Sequence, residues 1–96
     1  MAKASKKAVM VRCYSGVFFG YLSDRRQGEV DLTGSRHVWS WDSQGLERKA
    51  TTVDDLALMG PGSGSRLSGR VDQTLLEVKQ IVECSDAAVK RFEAHP

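Results

Sequence analysis

Metal frameworks and disulfide scaffolds are the first things this chain cannot build. Among 96 residues only Cys13 and Cys84 are cysteines, and only His37 and His95 are histidines. There is no Cys-x-x-Cys pair, and four scattered ligands lack the close spacing of a structural zinc site. A secretory leader is not legible either. Lys3, Lys6 and Lys7 charge the start, but residues 9–11 are too short an apolar stretch and Arg12 interrupts it. Two cysteines without a leader fit a reduced, cytoplasmic chain better than a bridged one. No apolar run approaches the ~20 residues of a spanning helix, so no membrane role is expected.

An excess of basic charge is also missing from most of the chain. The formal net charge is +2, yet Lys3, Lys6, Lys7 and Arg12 all fall in the first twelve residues. Beyond them, ten basic residues face twelve acidic ones. The basicity belongs to a tail and not to a groove, which argues against general nucleic-acid binding. Residues 1–7 read as a disordered basic arm and 8–96 as one small domain. The catalytic inventory is equally thin. His37 is the one histidine inside the expected body, with Asp31 or Asp42 as candidates to orient it. Ser35 and Ser40 lie nearby but in no nucleophile elbow. No enzyme and no cofactor are expected.

What the chain does have is alternation. Residues 8–14 alternate as a strand, with Val9, Val11 and Cys13 on one face and Met10, Arg12 and Tyr14 on the other. Ser15-Gly16 supplies a tight turn, and residues 17–23 return as a second strand. Gly20 in the middle of that strand marks a bulge or a close approach. A polar turn at 24–28, a short strand at 29–33 and a turn at Gly34-Ser35 lead into the stretch Arg36-His37-Val38-Trp39-Ser40-Trp41. Further on, Thr51 or Thr52 caps a short helix that Gly60-Pro61 ends. Residues 70–84 resume as strand, with the best run at 75–84, and Ser85 or Asp86 opens a final helix carrying Ala88, Val89 and Phe92 on one side. The expected fold is α+β: a small twisted antiparallel sheet of about five strands, either open or curled into a partial barrel.

The tryptophan stretch carries the functional question. In a regular strand, Trp39 and Trp41 share a face with His37. Two adjacent indoles form the centre of a core, a stacking floor for a planar ligand, or a protein-contact surface. Tyr14 could join such a floor, and Arg36 could hold a phosphate in its planar fork. Residues 60–69 hold four glycines and three serines. They form either a flexible surface loop or an anion nest of backbone N–H groups with Arg66 beside it. The Gly-Lys-Ser/Thr ending of a nucleotide-hydrolysing loop is absent.

The set Val9-x-Val11-Arg12-x-Tyr14-Ser15-Gly16-Val17-x-x-Gly20-x-Leu22, then Glu29-Val30-x-Leu32, then Arg36-x-Val38-Trp39-x-Trp41 resembles a family of small proteins of tailed phages and prophages. The resemblance covers most of residues 9–84. It implies a phage origin and no mechanism; the expected location is the host cytoplasm, or the virion if the protein is a structural component. Together these features lead to the expectation of a phage accessory protein that binds without turnover. It would sequester a nucleotide-like or phosphorylated molecule and so counter a host defence signal, using Tyr14, Arg36, Trp39, Trp41 and Arg66. The alternative is a virion or assembly component, or an inhibitor docking on a host protein. The small size favours a homo-oligomer in either case.

Overall fold

The computed structural model describes residues 7–96 and has an α+β architecture. In chain order the elements are β1 (Lys7–Cys13), β2 (Gly16–Arg26), β3 (Glu29–Ser40), α1 (Val53–Met59), β4 (Arg66–Leu67), β5 (Val71–Leu76), β6 (Val78–Glu83) and α2 (Asp86–Ala94). The six strands form one antiparallel sheet in the order β4-β3-β2-β1-β6, with β5 also paired to β3. It does not close into a barrel.

Alternation along β1 and β2 builds two cores, one on each face of the sheet. Val9, Val11 and Cys13 meet Phe18, Val30, Leu32 and Leu75 on one side. Met10, Phe19 and Val38 meet Val53, Leu56, Ala57, Ala88 and Phe92 of the two helices on the other. Phe19 and Phe92 stack at 4.3 Å between centroids, and burying each ring contributes about 1.5–3 kcal/mol. Helix α1 begins where the Thr52 hydroxyl accepts the Asp55 N–H at 3.2 Å, and Gly60 ends it. Ser85 caps α2 and also donates to the Leu58 carbonyl at 2.6 Å, so the second helix starts against the end of the first.

Four expectations about local structure change. Gly34-Ser35 is not a turn, because β3 runs unbroken through it. Two residues, Gly34 and Ser35, oppose the single Gly20 of β2, and Gly34 takes a φ of +56°. A bulge and a turn use the same glycine chemistry, and only the partner strand tells them apart. Gly20 does mark a close approach: an added Cβ would lie 3.0 Å from Leu32. The 24–28 turn shrinks to Gln27-Gly28, since Arg26 continues β2 and bridges Asp24, Glu29 and Asp31 across the hairpin. Lys7 belongs to β1 and pairs with Glu83 at 3.2 Å, while residues 1–6 of the expected arm lie outside the described residues. Finally, the 70–84 strand splits at Glu77, which takes a φ of +53°. Both cysteines are free thiols. Among the described residues no helix is long and apolar enough to cross a membrane.

Candidate functional site

The end of β3 builds the site. There the two-residue strand β4 pairs with β3, Leu67 opposite Val38 and Arg66 opposite Ser40. This places Trp39, Ser40, Arg66 and Leu67 around an open groove of about 570 Å3. Trp39 is 68 % exposed. Its indole is backed by the His37 ring at 4.9 Å, which in turn stacks on Phe18 at 4.5 Å and 16°. The three rings form a ladder from the core to the groove, so Trp39 is fixed from behind and bare in front. Gly16 makes room for the ladder, because a Cβ there would sit 2.7 Å from His37 Nε2. Arg66 is exposed and, among the described residues, makes no ion pair.

The Gly/Ser segment holds β4 in place by wrapping an anion of its own. The Asp42 carboxylate accepts the Gly64 N–H and the Gln44 N–H at 3.2 Å each, and the Asp42 carbonyl accepts the Gly62 N–H at 3.1 Å. Ser65 Oγ accepts the Asp42 N–H at 3.0 Å. A Cβ at Gly64 would fall 2.0 Å from Asp42 Oδ2, and one at Gly62 would fall 2.3 Å from Oδ1. The glycines are therefore required by the approach of Asp42. Of the two readings of this segment, a flexible loop and an anion nest, the structure shows backbone N–H groups gathered on an anion, and that anion is internal. The missed signal is Asp42 itself, an acid placed directly after the tryptophan strand. Ser68 completes the anchoring: its hydroxyl accepts the His37 N–H at 2.8 Å and its N–H donates to the His37 carbonyl at 2.9 Å.

Of the five expected ligand residues, the structure brings together Trp39 and Arg66 and separates the other three. Arg36 is 3 % exposed and points inward. Its guanidinium donates to the carbonyls of Ser68, Phe92, His95 and Pro96 at 2.8–3.0 Å. Burial and the nearby Arg70 lower its pKa, with Glu93 acting in the opposite direction. Four of its five N–H donors are spent on these carbonyls, and no fork of two is left for a phosphate. Trp41 does not share a face with Trp39. The strand ends at Ser40, alternation lapses, and Trp41 turns to the helix-side core with its Nε1 donating to the Ala50 carbonyl at 2.9 Å. Tyr14 sits in the β1–β2 turn, 82 % exposed, and does not line the groove. Sequence reasoning also missed Leu67 and the groove-lining place of Ser40, because nothing marked residues 66–67 as a strand.

The suggested partners of His37 are engaged elsewhere. Asp31 accepts from Arg26 and from Thr74, at 3.0 and 2.6 Å, and Asp42 is enclosed by the glycine loop. His37 is a stacking element between two aromatic rings. Among the described residues no three of His, Cys, Asp and Glu gather as a metal site.

Fold and groove together define a small α+β domain with a solvent-open pairing of one indole and one guanidinium. Residues 6–92 match a family described as a domain of unknown function (DUF6948), and the chain belongs to that family. No curated protein and no solved structure matches it.

Proposed function

We propose that this protein binds, without turnover, a small planar anion of nucleotide-like or phosphorylated character in the Trp39–Arg66 groove. One observation carries the reading: an exposed indole, held rigid by the His37–Phe18 ladder, shares a groove with an unpaired guanidinium. A base stacks on an indole face with roughly 1–3 kcal/mol, and a guanidinium fork suits phosphate oxygens. Ser40 adds a hydroxyl, and Leu67 an apolar wall. In the phage setting that the hairpin and tryptophan motifs suggest, such a protein acts in the host cytoplasm, as a homo-oligomer, by sequestering a defence signal.

Native mass spectrometry of protein purified from infected, defence-active cells tests this. The expected result is a mass excess matching a small organic anion at each site, lost on denaturation. The double variant Trp39→Ala/Arg66→Ala, which alters two exposed side chains, is expected to fold and to arrive without the excess. An equal excess in both proteins would move the site elsewhere. A clean mass from protein recovered in phage particles would replace ligand binding with a virion role.

A further inference from the structure

The glycine loop that leads into Arg66 has no backbone donors to spare. Its Gly62 N–H donates to the Asp42 carbonyl and its Ser63 N–H to the Gln44 carbonyl. Its Gly64 N–H donates to the Asp42 carboxylate and its Ser65 N–H to the Gly62 carbonyl, all four at 3.0–3.2 Å. Pro61 has no N–H, and the Gly60 N–H ends α1 on the Leu56 carbonyl at 2.8 Å. A loop that cradles a chain of phosphates does so with free N–H groups of this kind. Here they are spent, and the Asp42 charge they surround has the same sign as a phosphate, which it repels.

The rest of the groove is equally sparing. Arg66 is the one charged residue among the four that line it. Trp39 offers one face, because the His37 ring backs the other. Trp41, which could have been a second stacking plate, is turned to the helix-side core. One stacking surface and one guanidinium remain, and Arg66 stands opposite Ser40, the next residue after Trp39. Neighbouring positions on paired strands lie roughly 5–8 Å apart, which matches the span from a base to the first phosphate on its sugar.

Resting on the binding reading above, we infer that the groove takes a nucleoside monophosphate: one base on Trp39 and one phosphate on Arg66. It has no place for a second of either. Longer phosphate chains and dinucleotides enter with their surplus groups left in water and gain nothing from them.

NMR spectra of the full chain, titrated with adenosine and its mono-, di- and triphosphate in the absence of divalent metal, test the proposal. The same series on guanosine, cytidine and uridine covers the other bases. At least one monophosphate is expected to shift the Trp39 indole N–H and to leave that of Trp41 in place. Affinity is expected to step up roughly tenfold from nucleoside to monophosphate, as one guanidinium–phosphate contact gives, and then to stay within about threefold up to the triphosphate. Arg66→Gln is expected to erase the step, and Trp39→Ala to erase the binding. Both change exposed side chains, and the Trp41 indole N–H, bonded to Ala50, reports that the fold is kept. The ligand series on the unaltered chain decides the point should a variant fail to fold. Affinity rising with each added phosphate would overturn the inference and leave the binding reading standing. Tighter binding of a dinucleotide than of the monophosphate would do the same, by showing a second stacking place. No shift of Trp39 with any of these compounds would overturn the nucleotide reading of the groove, and this inference with it.

Discussion

Arg36 shows how a side chain suited to phosphate can be consumed by its own chain. It stands at the start of the tryptophan stretch, where sequence alone leaves ligand and structure equally open. The answer lies 56 to 60 residues further on, in the carbonyls of Phe92 in the last turn of α2 and of His95 and Pro96 just after it. A contact that distant leaves no periodic trace. Arg36→Met removes a charged donor from four carbonyls and is expected to lower the unfolding free energy by about 2–4 kcal/mol, read from urea denaturation. Arg36→Lys should recover only part, since a point ammonium cannot match the fork. Unchanged stability in both variants would remove Arg36 as the latch on α2. The tryptophans teach a related lesson. Alternation correctly linked Trp39 to His37, because both lie within β3. It failed for Trp41 because the strand ends one residue earlier.

For the 60–69 segment the sequence left a flexible loop and a backbone cradle both open, and its glycine spacing is now explained by Asp42. Gly64→Ala would place a methyl group against that carboxylate and is expected to cost about 1–3 kcal/mol as overpacking. Gly69, with nothing near its missing Cβ, is the control and should tolerate alanine with little change in thermal midpoint. Equal responses at the two positions would mean that the Asp42 contact is not what holds the loop. The helices were the most legible elements: Thr52 and Ser85 cap them as their positions suggested. The bulge at Gly34 and the split at Glu77 were not legible, since each depends on which strand lies alongside.

At the scale of the whole molecule, the helix-side core sets how stability responds to pH. Tyr21 and Cys84 both pack at its rim. Burial, then the hydrogen bond to Glu93, raises the Tyr21 pKa from 10.0 to about 12, and burial raises Cys84 from 9.0 to about 12. In each case the folded state keeps a proton that the unfolded chain releases. Their contribution is therefore complete below pH 9 and declines as pH rises from 9 to about 12. On the acid side, hydrogen bonds from Arg26 and Thr74 lower the Asp31 pKa from 3.8 to about 2. That contribution is present above pH 3.8 and is lost as pH falls toward about 2. Chemical denaturation across pH should thus show a plateau with two shoulders. Tyr21→Phe/Cys84→Ala should flatten the alkaline shoulder and leave the acid one in place. An alkaline shoulder unchanged in that variant would show that other groups control it.

The kinked run at 71–83 also has a consequence in time. It supplies the neighbour of β1 and much of the neighbour of β3, joining Val9 to Glu83 and Glu29 to Leu76. A ribosome makes these residues after β1, β2, β3, α1 and β4. Until they emerge, the growing chain has the β1–β2–β3 meander with β4 against the end of β3, and the edge of β1 and the first half of β3 stay uncovered. Both of these edges are then covered by the same thirteen residues, so a nascent chain stalled near residue 70 is the form most exposed to sticking to its neighbours.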